Sequence, residues 1–241
     1  MRIALACLLL ATAVGCNATE SESCEIGSDQ LSVVAEVVDT GWDIRATIDF
    51  ENGDRQGTNS PLRLCATDLL TINGQDATET TKASRIEYAL AWAADGDRSV
   101  RFTLERQTFG EVIDLVVELP PAFEILTPMD GDTLARDGQA LEWEPINTDG
   151  TMQVRLYEEL GGGQCIIDSD DQTYENPGGV GVPDTGSWTI DAADLGSMTQ
   201  QECNITVALS RVTLGDYPTN LGGGGRIEAR TERRVDVVDT P

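Results

Sequence analysis

An all-β protein of two tandem antiparallel β-sandwiches is what the sequence predicts, on three observations. Apolar and polar residues alternate with a period of two along most of the chain, which describes strands with one buried and one wet face. Turn residues punctuate these runs at short, regular spacing, as at Asn73-Gly74 and Asp95-Gly96-Asp97. No long helical period occurs, and only residues 191–195 predict a turn of helix. Pro120-Pro121 cannot continue a sheet ladder and restricts its neighbours, so the break between the units falls there. The first unit is then 26–120 and the second 121–241.

Residues 1–15 belong to neither unit. Arg2, an apolar run from Ile3 to Val14, and small residues before Cys16 describe a secretory signal peptide, and the run is too short to span a bilayer. The segment Ala13-Val14-Gly15-Cys16 resembles the lipobox of bacterial lipoproteins, with Ala13 where that family usually has leucine. The resemblance implies cleavage before Cys16, lipidation of its thiol, and an envelope protein held to a membrane by acyl chains. Asn17 after the cysteine is compatible, by the same analogy, with sorting to the outer membrane. Residues 16–25 then form a lipidated tether.

In the first unit the alternating series begins at Leu31. Trp42, Ile44, Ala46, Ile48 and Phe50 alternate with polar residues, so these five are expected on the buried face. The same period recurs through Ile86 to Trp92, Val100 to Leu104 and Ile113 to Leu119, and about seven strands precede Pro120. In the second unit Leu141 and Trp143, then Met152 to Leu156, Ile166 and Ile167, Trp188 and Ile190, and Cys203 to Leu209 mark short strands. Residues 227–238 make a long last one.

The second unit resembles a fibronectin type III domain, on Pro121-Ala-Phe-Glu-Ile-Leu-Thr-Pro128, Leu141-Glu-Trp143-Glu-Pro145, Met152-Gln-Val154-Arg-Leu156-Tyr157 and Ser187-Trp-Thr-Ile190 followed by Leu195. Trp143 matches that family's tryptophan on the second strand and Leu195 its leucine after the fifth. The family's tyrosine before the sixth strand is absent, and Cys203 near that place implies a disulfide instead. The first unit is generically immunoglobulin-like. Such domains imply adhesion, spacing or ligand presentation, which is analogy at the level of fold.

Of six cysteines, Cys7 lies in the signal and Cys16 at the lipid site, leaving Cys24, Cys65, Cys165 and Cys203. Four cysteines in an exported chain predict two disulfides, with three connectivities open. Pairing Cys24 with Cys65 and Cys165 with Cys203 keeps each bridge inside one unit. A zinc site lacks both a C-x-x-C spacing and histidine.

The formal charge is −26, with one lysine, Lys82, and no histidine. So acidic a surface repels nucleic-acid and lipid phosphates and favours basic or divalent-cation partners. Without histidine there is no Ser-His-Asp triad, Cys-His pair or His-ligated metal. The glycine runs 161–163 and 222–225 read as flexible turns, not phosphate loops.

Asp-Thr-Gly occurs twice, at Asp39-Thr40-Gly41 and Asp184-Thr185-Gly186. This is the catalytic tripeptide of aspartic proteases, in which two carboxylates share one proton. A secreted hydrolase of that kind is the alternative to a binding module, but the locking segments of that family are absent and hairpin turns account for both tripeptides. Calcium is the one metal with a case: Asp168, Asp170 and Asp171 share a loop with Glu175 and Asp184, offering hard oxygen ligands, although Thr173 and Gly179 break the EF-hand spacing and a solvated acidic loop accounts for the same residues. The expected partners are the membrane, through the lipid, and a protein or glycan of the envelope, with no nucleic acid. The expected contact surface is the loop 213–225, with Asp216 and the amphipathic Tyr217 as its candidates.

Overall fold

A computed structural model of the chain describes residues 21–53, 59–82, 85–94, 96–134, 138–146, 150–158, 180–190 and 203–239. The fold is all-β, and among the described residues the only helical segments are two 3-10 turns, Ser23–Glu25 and Ser28–Gln30. The strands of the first half are β1 (Ser21–Glu22), β2 (Leu31–Asp39), β3 (Asp43–Gly53), β4 (Asn59–Arg63), β5 (Leu69–Ile72), β6 (Gln75–Asp76), β7 (Thr78–Lys82), β8 (Arg85–Ala93), β9 (Ser99–Arg106) and β10 (Glu111–Glu118). The second half holds β11 (Ile125–Thr127), β12 (Thr133–Leu134), β13 (Gln139–Trp143), β14 (Thr151–Glu158), β15 (Val180–Pro183), β16 (Ser187–Ile190), β17 (Cys203–Leu214) and β18 (Gly225–Asp239).

The alternation seen in the sequence sets which face is buried. In β2 it turns Val33, Ala35 and Val37 inward, opposite Phe50, Ile48 and Ala46 of β3. A shift of one residue would expose the whole set, so the burial itself fixes the register. These side chains, with Phe102, Leu104, Ile113, Leu115 and others, form a first core. It lies between a large sheet and the four-stranded sheet β10-β9-β5-β6. A second core gathers Trp143, Leu141, Met152, Val154, Leu156, Ile205, Val207 and Val237 between the same large sheet and the three-stranded β11-β13-β16.

That large sheet changes the expected picture of two independent units. It has eleven strands, running β1-β4-β3-β2-β18-β17-β14-β15, with β7, β8 and β12 attached off this path. Its middle is β18, fifteen residues long, which at about 3.3 Å per residue reaches about 50 Å. Gly225 to Thr231 pair in parallel with Val33 to Asp39 of β2, while Glu228 to Asp239 pair with β17. Ile227 and Ala229 therefore sit in the first core and Val237 in the second. Residues 225–231, counted with 121–241 in the sequence reading, belong to the sheet over the first core.

Two smaller expectations are also corrected. Trp42, expected inside, is 90% exposed. The alternation starts only at β3, and Gly41, at φ +95°, turns the chain before it. Residues 21–25 of the expected tether are docked: β1 pairs in parallel with β4, and Cys24 forms a disulfide with Cys65. Fully buried Arg106 adds a second strap, donating to the carbonyls of Ser23 (2.6 Å) and Ile26 (2.5 Å) and to Ser28 Oγ (2.6 Å). Its burial pushes the guanidinium pKa down, opposed by the charge of Glu111.

Candidate functional site

Between the two cores β18 stops being apolar. Thr231 and Arg233 point to the same side as Ile227 and Val237, and they meet the connector that begins at Pro120. Thr231 Oγ1 donates to the Pro120 carbonyl at 2.7 Å, and Arg98 donates to that carbonyl and to Thr231 Oγ1. From the other side Arg211 donates to the carbonyls of Pro121 and Ala122, each at 3.3 Å, and to that of Glu144. Prolines and a bent backbone leave carbonyls without strand partners, and burial makes such groups costly unless they are satisfied. The guanidiniums supply that satisfaction.

Both Asp-Thr-Gly aspartates serve this clamp. Asp39 is 1% exposed and accepts from Arg98 at 3.0 Å and Arg233 at 3.3 Å. Asp184 accepts from Arg211 Nε at 2.7 Å and from the Trp143 indole N–H at 2.7 Å. Phe123, the first apolar residue after the connector, lies under the guanidiniums of Arg211 (4.6 Å) and Arg233 (5.9 Å). Each tripeptide is a tight turn. Asp39 also caps its own loop by accepting from Gly41 N at 2.8 Å, and Gly186, at φ +92°, turns the chain from β15 into β16. No hydrogen bond joins Asp39 to Asp184 among the described residues. Asp39 is instead held by Arg98 and Arg233 and Asp184 by Arg211, an arrangement that orients cations and does not pair two acids.

A cleft of about 570 Å³ opens beside this clamp, lined by Trp42, Phe123, Glu124, Glu144, Arg233 and their neighbours. Trp42 is held out by the Asp39-capped turn, whose Thr40 Oγ1 also donates to Asp43 Oδ1 at 2.5 Å. Glu144 N donates to Glu124 O at 3.1 Å, which sets the two glutamates side by side at the rim, both exposed.

The loop expected to make contacts is built differently from its sequence reading. Tyr217 is half-buried against the first core and its hydroxyl donates to Gly224 O. Burial pushes the Tyr217 pKa up, opposed by a bond from Val33 N. The glycines that follow are a close-packed seam: a side chain on Gly222 would sit 2.3 Å from Asp29 O, and one on Gly225 2.0 Å from Val33 O. Asp216 alone of that pair is exposed.

Asp168, Asp170, Asp171, Cys165 and Cys16 lie outside the described residues, as do the strand expected at Ile166-Ile167 and the turn at 191–195. Cys203 opens β17 opposite Asp239. Among the described residues one group could converge on a metal, Glu22 with Cys24 and Cys65, and its two sulfurs are joined in the disulfide.

The arginines of the clamp escaped the sequence reading. One signal was there to find: from Arg226 to Asp236 every second residue of β18 is charged, in the order Arg, Glu, Arg, Glu, Arg, Asp. These line the opposite face of the large sheet, where Arg230 meets Glu36 and Glu228, and Glu232 meets Arg155 and Arg234. Arg233, out of phase with them, is thereby marked as facing the cores.

No known family pattern matches the chain, and no curated protein matches it.

Proposed function

We propose that this is an exported bacterial envelope protein, anchored by lipid at Cys16, whose two sandwich units act as a binding, adhesion or spacing module. The observation that carries this reading is the apolar run closed by Gly15-Cys16, which resembles a lipoprotein signal. The finer architecture belongs to the same proposal: an immunoglobulin-like unit followed by a fibronectin type III-like one. In support, Trp143, matched to that family's second-strand tryptophan, packs in the second core.

The body suits holding a surface at a fixed place. A strand shared by both cores and a connector clamped by Arg98 and Arg211 leave little freedom for one half to swing on the other. The docked segment 21–30 adds to this, because the force of an anchor at Cys16 would reach the body through the Cys24–Cys65 bridge. Binding is favoured over catalysis because the two Asp-Thr-Gly carboxylates are engaged by arginines.

Cell fractionation of Cys16→Ser tests the anchor. Variant of mature size, freed of residues 1–15, is expected in the soluble fraction, because the acyl chains are gone with the thiol that carries them. Variant of mature size remaining in the membrane pellet as the wild type does would refute the anchor. Affinity capture of the wild type from its own envelope then tests binding directly.

A further inference from the structure

We infer that the cleft beside the connector is a docking site for a basic segment of a polypeptide partner, received on Trp42 and between Glu124 and Glu144. This deepens the binding-module reading and rests on it.

At 90% exposure Trp42 leaves almost its whole apolar surface in water, and nothing in its own fold requires this. The turn that presents it is rigid: buried Asp39 is tied to Arg98 and Arg233 and caps Gly41 N, while the Trp42 carbonyl accepts from Ala94 N at 3.3 Å. The backbone beneath the indole is therefore set before binding, and only the side-chain rotamers remain to be ordered. Tryptophan is also the best aromatic platform for a cation.

The cleft is lined by charges of both signs. Its two guanidiniums, Arg233 on Asp39 and Arg234 on Glu232, face three lining carboxylates, those of Glu124, Asp130 and Glu144. Glu124 and Glu144 make no ion pair or side-chain hydrogen bond among the described residues, so the cleft presents uncompensated negative charge beside an aromatic face. A chain of net charge −26 attracts cations over long range, and this cleft offers them a specific seat. At about 570 Å³ it falls in the size range of ligand sites and is far larger than one ion would fill. An arginine or lysine side chain on an extended backbone matches these features: its cation stacks on Trp42, its donors reach the two carboxylates, and its backbone lies along the cleft.

The test titrates the full-length protein, in detergent, with a fluorescent Arg-Gly-Arg-Gly-Arg peptide and with its counterpart bearing Glu for Arg. The basic peptide is expected to bind and the acidic one to fail. Trp42→Ala keeps the charge and is expected to weaken binding about tenfold. Glu124→Gln with Glu144→Gln is expected to weaken it at least as much. Glu105→Gln with Glu118→Gln removes the same charge at exposed positions outside the cleft, and it should leave affinity within about twofold. Equal loss in both double variants, or no loss in Trp42→Ala, overturns the inference in favour of diffuse attraction to an acidic surface. Binding of a neutral oligosaccharide at the cleft in place of the basic peptide overturns it as well. An envelope partner captured equally by wild type and Trp42→Ala refutes the cleft while leaving the binding-module reading standing.

Discussion

Asp184→Ala removes the carboxylate from beneath a guanidinium that has no other anionic partner among the described residues. Both groups are shut away from water, with side chains 3% and 1% exposed for Arg211 and Asp184. Breaking a buried pair from one side costs about 3–5 kcal/mol, because the remaining charge stays buried and unmatched. The Trp143 N–H also loses its acceptor, and an unsatisfied buried donor costs about 1–3 kcal/mol. The two penalties overlap, since a water admitted to the gap relieves both, so the expected loss is about 4 kcal/mol. For a chain of this length that lowers the melting temperature by about 8–16 °C. Asp184→Asn keeps an oxygen for the indole but not the charge, and should fall about midway. Asp216→Ala, at an exposed position, is the control and should change stability by less than about 0.5 kcal/mol. Urea unfolding followed by tryptophan fluorescence reads all three. If Asp184→Ala lies within about 1 kcal/mol of the wild type, Arg211 and Asp184 do not form a stabilising buried ion pair, and the second Asp-Thr-Gly turn has no part in clamping the connector.

The Cys24–Cys65 bridge closes a separation of 41 residues, so replacing both cysteines by serine should cost about 4 kcal/mol in the chain-entropy model, measured by urea unfolding; the wild-type midpoint in the double variant would refute it. Peptide mapping without reduction should recover Cys24 linked to Cys65 and, as the sequence pairing expects, Cys165 linked to Cys203. Gly225→Ala should cost at least about 3 kcal/mol, because its methyl would meet the Val33 carbonyl and its φ is +146°; Gly74→Ala, also at positive φ but facing open space, should cost only about 1 kcal/mol. Burial raises the pKa of Asp49, outweighing the bond from Arg85 that lowers it. A raised carboxyl binds its proton more tightly when folded, so ionised Asp49 costs stability at neutral pH and that cost is relieved as pH falls through its folded pKa. Asp49→Asn should therefore melt higher than the wild type at about pH 7, with the gap closing toward about pH 4; a gap that widens on acidification would show the opposite sign.

Strands were legible where the alternation is long, as in β2, β3, β9 and β10, because a two-residue period is a local property of the chain. The four-residue β5 and β15 went unread, and ten strands among the described residues, not about seven, precede Pro120. Val33, Ala35 and Val37, or Phe102 and Leu104, announce their burial without knowledge of their partners. Trp42 continues the alternation in sequence but lies in the turn before β3, so its indole leaves the buried face. The glycines 222–225 likewise carry no local mark of their packing. A run of glycine signals permission for unusual backbone, and the sequence does not say whether that permission is used for freedom or for the close approach seen against Asp29 and Val33. The Asp-Thr-Gly tripeptides were readable as turns, whereas their arginines were not. Asp39 meets Arg98 across 59 positions and Arg233 across 194, and Asp184 meets Arg211 across 27.

By itself, then, the sequence determined the all-β class, the register-setting apolar faces and the turns, all of which follow from local pattern, while the count of four cysteines left three pairings open, of which the structure holds Cys24–Cys65. The tertiary structure decided that β18 joins both cores in one sheet, that the connector is clamped by buried arginines, and that Trp42 stands in water above a cleft. Those outcomes depend on which strands lie side by side. Strand order in a sheet is set by the sum of many long-range contacts, and no short stretch of residues records it.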